Sequence, residues 1–201
     1  MKPAISFFFL LMLTQYGHAA GKEWSNDMGR FSYMPDPIQP DTSPVKSTRL
    51  IVPGKSIGLT AIEQKMSSVI RRLGNPASGD ASMGGHSMSV WYSKPVIHGT
   101  DTLINETDIY FYTQHFGEPN PIVRVDHIRV TSSYFMTASR IGVGSALEAV
   151  QKNFPGLTKS GTETSPKTNR PVDTYSDDHL GISFEIEEGK CVAVTVYRKT
   201  E

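Results

Sequence analysis

The stretch RIGVGSALEAVQKNFPG, Arg140 to Gly156, carries Val143, Leu147, Val150 and Phe154 at intervals of 0, 4, 7 and 11. That spacing puts all four on one side of a 3.6-residue helix. Ser145 with Glu148 three residues on is a capping-box pattern, in which each side chain satisfies a backbone donor at the helix start. Pro155-Gly156 is a stop. Nearly the same unit stands earlier, in TAIEQKMSSVIRRLGNP from Thr60 to Pro76. There Ile62, Met66, Val69, Ile70 and Leu73 fall at 0, 4, 7, 8 and 11, opposite Glu63, Lys65, Ser67, Ser68, Arg71 and Arg72. Thr60 with Glu63 repeats the capping box, and Gly74 with Pro76 repeats the stop. The apolar positions 62, 66, 69 and 73 precede 143, 147, 150 and 154 by 81 residues each, whereas the cap positions are 85 apart. A second helix shortened by about one turn, with the same face inward, reconciles the two offsets.

Strands follow each helix. After the first, residues 90–92, 108–113 and 122–130 read as strands; in the last, apolar positions switch from odd (Val123, Val125) to even (Ile128, Val130), which predicts a bulge near Asp126-His127. After the second, Ile182, Phe184 and Ile186 share one face, and Val192, Val194 and Val196 resume it. A three-residue loop, Glu187 to Gly189, then sets Phe184 against Val192 and leaves Cys191 opposite Glu185 on the polar face. The expected fold class is α+β, in two tandem repeats, each a helix packed on an antiparallel sheet, at residues 49–132 and 133–201.

The first 20 residues read as a secretory signal peptide: Lys2, an apolar run from Ile5 to Leu13, and small residues at Gly17, Ala19 and Ala20. The run is short for a bilayer span, so no integral membrane segment is expected. No cysteine stands near the cleavage site to carry a lipid. Residues 21–48 form a polar segment with prolines at 35, 37, 40 and 44, an extended tether or strap. Lys plus Arg and Asp plus Glu are 20 each, and losing Lys2 leaves 19 against 20, a balance that argues against nucleic acid as a partner. The single cysteine, Cys191, excludes an internal disulfide, so stability must come from packing. The expected location is periplasmic or secreted.

The order strand, IGVGSALEAVQKNFPG-type helix and hydrophobic hairpin with an EEGK turn, present twice behind a signal peptide, resembles the β-lactamase inhibitor protein fold. It is similar also to outer-membrane assembly lipoproteins of the SmpA/OmlA kind. The resemblance covers residues 49–198 and implies two helix-on-sheet repeats with an open sheet face available to a protein partner. The inhibitor has disulfides within its repeats and this chain can have none; the assembly factors carry a lipidated cysteine absent here. No contact residue is carried over.

Reactive constellations are sparse. Gly54-Lys55-Ser56 ends like a phosphate-binding loop, but that motif needs a glycine where Arg49 stands. Gly142-Val143-Gly144 lacks the third glycine of a dinucleotide fingerprint, and turn geometry explains it. Asp177-Asp178-His179 and Asp126-His127 pair acids with histidine, yet adjacent strand residues point to opposite faces, and carboxylates just before a strand commonly serve a solvated turn. His86 and His98 have no ligand spacing between them. Cys191 has no base nearby in sequence, and Glu185 opposite it would suppress the thiolate. No G-x-S-x-G occurs. No catalytic residue, metal ligand or cofactor is expected.

What remains is a surface. In DIYFYT, Ile109 and Phe111 alternate with Tyr110 and Tyr112, so if the first pair meets the helix the tyrosines face the open side of the sheet. Trp91 stands in a neighbouring strand. Tyr and Trp are favoured in protein interfaces, and Trp91, Tyr110 and Tyr112 are the partner-binding candidates, unless the N-terminal strap or the other repeat covers them. The expected function is an exported protein-binding module without catalysis, an inhibitor or an envelope-assembly accessory, whose partner is another protein. The alternative is a small exported hydrolase using His179 or His127 with an acidic partner.

Overall fold

Valine, isoleucine and phenylalanine alternate with polar residues at 108–113, 122–130 and 182–196, and that period-2 pattern builds a sheet that is apolar on one face. The computed structural model describes residues 43–81, 84–98 and 101–200. The expected signal peptide, and the strap as far as residue 42, lie outside them. The described residues fall in one unit, Thr42–Glu201.

The elements in chain order are β1 (Ile51–Val52), β2 (Ser56–Ile57), β3 (Thr60–Ala61), α1 (Met66–Leu73), β4 (Ser78–Ala81), β5 (His86–Tyr92), β6 (Val96–His98), β7 (Asp101–Leu103), β8 (Glu106–Gln114) and β9 (Ile122–Val130). Then follow α2 (Leu147–Asn153), β10 (Thr158–Thr164), β11 (Pro171–Asp177), β12 (Ile182–Glu187) and β13 (Lys190–Tyr197). The fold is α+β, with antiparallel sheets and, among the described residues, two helices. Eight strands join in the order β10-β11-β12-β13-β9-β8-β5-β4. The strands after each helix therefore do not form separate layers: β13 pairs with β9, setting Val194 beside Val130 and Val196 beside Ile128.

Both helices cover the same face. Val69 of α1 and Val150 of α2 have no exposed surface, and they share one core with Ile109, Phe111, Val125, Ile128, Phe184 and Val194. Each such side chain contributes roughly 1.5–3 kcal/mol as an upper estimate. The helices begin at Met66 and Leu147, 81 residues apart like their apolar faces, so neither is shortened by a turn. Neither capping box forms: the N-caps are Lys65 and Ala146, with no side-chain cap bond. Ser145 Oγ instead accepts from Gly142 N–H, and Thr60 Oγ1 accepts from Arg72 Nη2.

The residues before each helix are occupied elsewhere. Glu63 N–H donates to Val125 C=O and Val125 N–H to Gln64 C=O, both at 2.9 Å. Gly144 N–H donates to Cys191 C=O and Cys191 N–H to Ser145 C=O, both at 2.8 Å. The segment before each helix thus pairs along a strand edge, that of β9 for α1 and of β13 for α2.

The strand pairs β8–β9 and β12–β13 share one register. Thr107, Ile109 and Phe111 of β8 pair with Val130, Ile128 and Val125; 75 and 66 residues further on, Ile182, Phe184 and Ile186 pair with Val196, Val194 and Cys191. Asp126 is the unpaired residue of a bulge in β9, where the parity switch predicts one, and Val192 is the corresponding bulge in β13. This second bulge corrects the expected hairpin. The loop is only Glu188-Gly189, at φ 48° and 75°, as a tight hairpin turn requires. The extra residue Val192 then sets Phe184 opposite Val194 and Glu185 opposite Ala193. Cys191 consequently pairs with Ile186 and is buried in the core, not on the polar face.

Candidate functional site

The face opposite the helices carries Tyr110, Tyr112, His127, Arg129, Thr174, Ser183, Glu185 and Thr195, as the alternation of paired strands dictates. It is concave and forms a trough of about 940 Å³. One wall is Leu103 to Glu106, at the base of the β6–β7 arm, and the other is Glu163 to Thr168, where β10 turns toward β11. Lys167 Nζ meets Glu106 Oε1 at 2.6 Å. Three strands lie between β11 and β8, roughly 19 Å in a flat sheet at about 4.8 Å per strand, so the β10–β11 turn bends over the face to make that contact.

Arg129 occupies the middle of the floor. Its Nε and Nη2 donate to both oxygens of Glu185, at 2.6 and 2.7 Å, and Nη1 donates to Asp108 Oδ2 at 2.9 Å. Ala193, the strand partner of Glu185, is small enough to leave room for this diagonal reach. The hydrogen bonds to Glu185 raise the Arg129 pKa, so the cation is permanent. Burial raises the Asp108 pKa from its ordinary value, because the bond from Arg129 offsets only part of the lost hydration. The triad has one carboxylate more than it has cations. Sequence reading missed it. The only local signal is that each member stands beside buried apolar neighbours: Asp108 before Ile109, Arg129 between Ile128 and Val130, and Glu185 between Phe184 and Ile186.

The three aromatic candidates do not share a face. Tyr110 lies on the trough floor, stacked on His127 with ring centroids 3.9 Å apart and planes at 17°. Tyr112 is further along the same face, where its hydroxyl donates to Glu63 Oε2 at 2.6 Å. Arg198 lies against the Tyr112 ring and pairs with Glu63. Trp91 is on the helix side, since it pairs with Thr107 in the row of Ile109 and Phe111. Its Nε1 donates to Gly74 C=O at the end of α1, at 3.1 Å. This corrects the expectation that Trp91 belongs to the open surface; strand pairing sets the parity, and the sequence alone does not reveal it.

No known protein family matches this sequence, and no curated protein does. Among solved structures, a cysteine-rich secretory protein of Staphylococcus aureus is similar in part, with a TM-score of 0.41 and 11% identity over 78% of this chain and 49% of that one. The chain thus spans about half the length of that neighbour.

The remaining candidates divide between turns and core. Asp177 Oδ1 accepts from Leu180 N–H at 3.1 Å, and Asp178 Oδ1 accepts from the Tyr197 hydroxyl at 2.7 Å. Both carboxylates thus brace the turn into β12, and His179 is exposed beside them. Asp126 and His127 do come together, because the bulge at Asp126 breaks the alternation that would separate them. His127 Nδ1 is 3.1 Å from Asp126 Oδ2. Burial holds the His127 pKa below its usual value, partly offset by Asp126. An Asp-His pair can orient a general base, but among the described residues no hydroxyl or thiol is bonded to its second nitrogen. His86 begins β5 and His98 ends β6, on separate sheets. Burial pushes the Cys191 thiol up to about 12, and Sγ contacts Ala193 C=O at 3.3 Å, the behaviour of a core residue. No group of three His, Cys, Asp or Glu that could hold a metal occurs among the described residues, and no described helix is long and apolar enough to cross a membrane.

Proposed function

We propose that this is an exported, non-enzymatic protein-binding module, acting in the periplasm or outside the cell, that receives a partner protein on the open face of its sheet. The observation that carries the reading is the trough itself: a concave, side-chain-lined surface on the face away from both helices, with Tyr110 on its floor and Tyr112 further along. Tyrosine offers contact area with a polar tip, and concave surfaces rimmed by polar groups are where recognition concentrates.

We further infer that the chain is two tandem helix-on-sheet repeats, as in the inhibitor and assembly proteins it resembles. The reading is supported by coincidences that amphipathic helices alone do not produce. The helix starts, the paired bonds to Val125 and Cys191, the strand registers and both bulges recur at offsets of 81, 75 or 66 residues, each constant within its own element. An inhibitor and an envelope-assembly accessory differ here only in the partner.

Alanine replacement of Tyr110 and Tyr112 together tests the binding role. Partners recovered from the envelope fraction with the parent should be lost with the variant; recovery of the same partners with both would refute the surface. The hydrolase alternative draws on the Asp126–His127 pair. Stoichiometric zinc in the purified protein would favour it over the binding module.

A further inference from the structure

The charge inside the trough says what kind of partner surface it suits. Its lining includes Glu106, Glu163, Glu185 and Glu187, with Asp108 joined to the floor through Arg129, against Arg129, Lys167 and Lys190. Four lining carboxylates thus face three lining cations, and buried Asp108, bonded to Arg129, adds a fifth carboxylate beside the floor. Two of those cations are already seated, Arg129 on Asp108 and Glu185, and Lys167 on Glu106. An acidic guest would meet a carboxylate surplus, and a basic one would relieve it.

Two further features agree. Tyr110 and His127 form a flat stacked pair beside the triad, and an aromatic face next to carboxylates is a seat for a guanidinium or an ammonium. The fold also contains an internal example of a cation seated on a trough carboxylate. Lys167 is delivered by the β10–β11 turn onto Glu106 at the trough wall, from 61 residues away. Hydroxyls of Thr174, Ser183 and Thr195 along the floor can bond the backbone of an extended guest.

We propose that the trough receives a basic segment of its protein partner, an Arg- or Lys-bearing loop or strand with one cationic side chain laid on Tyr110 beside Asp108 and Glu185. The proposal rests on the reading of the trough as the binding face and adds the chemistry of the guest. Specificity arises because an acidic segment is repelled, and association slows as salt screens the surplus.

The probe is a pair of acetylated, amidated pentapeptides, Gly-Arg-Gly-Arg-Gly and Gly-Glu-Gly-Glu-Gly, titrated into the full chain and followed by amide chemical shifts. The basic peptide should produce saturable shifts at Tyr110, His127, Glu185 and Thr195, with affinity falling about fivefold between 50 and 300 mM salt as screening shortens. Tyr110→Leu, and separately the exposed-side pair Glu163→Gln with Glu187→Gln, should each weaken it by about fivefold or more, a loss of roughly 1 kcal/mol, while the rest of the spectrum reports an intact fold. No saturable shift in the trough, equal shifts with the acidic peptide, or unchanged binding in both variants would overturn the proposal. Should partner crosslinks form in the trough while the basic peptide fails, the binding face stands and the charge assignment falls. Should neither occur, both fall.

Discussion

Val69 and Val150 occupy corresponding places in the two helices, and each has no exposed surface. Replacing either by alanine removes two buried carbons, about 1.6 kcal/mol at ~0.8 kcal/mol each. The cavity left behind adds on the order of 1 kcal/mol at ~24 cal/mol per Å³. Each variant should therefore lose about 2.5 kcal/mol, and the two losses should match because both valines sit on the same apolar sheet face. In urea the midpoint should fall by about 1 M with an unchanged slope, and on heating the transition should drop by about 5–10 °C. Gln151→Ala, on the exposed side of α2, serves as the control and should change stability by less than about 0.5 kcal/mol. A loss below about 0.5 kcal/mol at either valine, or a large loss at one and none at the other, would refute the packing described.

Three other expectations follow from single groups. Arg129→Met strands Asp108 and Glu185 in a half-buried floor and should cost about 3 kcal/mol at pH 7. Asp108 already has a folded pKa above its unfolded 3.8, so its ionisation weakens folding as pH rises through that interval; the variant's deficit should shrink as pH is lowered toward 4, which denaturation at several pH values will show. Cys191 should resist alkylation in the native protein at pH 8 and react fully in denaturant, by thiol titration; rapid native labelling would contradict its burial. Gly181 has φ +70°, and a Cβ there would stand 2.3 Å from Tyr197 C=O, so Gly181→Ala should cost about 2 kcal/mol or more in urea denaturation.

The sequence revealed what is written locally. The phase of both helices follows from side-chain spacing, and the β9 bulge from a switch of apolar parity at Asp126. The helix starts were not legible, because the donors of Glu63 and Gly144 bond strands 62 and 47 residues away. The β13 bulge left no trace either, since Val192 is as apolar as its neighbours and suits either face. The side of Trp91 was not legible, because β5 pairs with β8 in a register that neither strand encodes alone. Of the trough's lining, the sequence brought out Tyr110 as a partner-binding candidate and His127 as a catalytic alternative; Tyr112 stands further along the same face. The trough's charged floor comes from Asp108, Arg129 and Glu185, which no motif connects and only the sheet order brings together.

The most direct measurement of the binding role is site-specific photo-crosslinking in cells. A benzophenone amino acid at Thr174 or Thr195, on the trough floor, should give discrete higher-mass adducts, whereas the same group at Glu148 or Gln151, on the outer side of α2, should give none. Adducts confined to the helix positions, or absent from the trough while the protein is folded and exported, would contradict it.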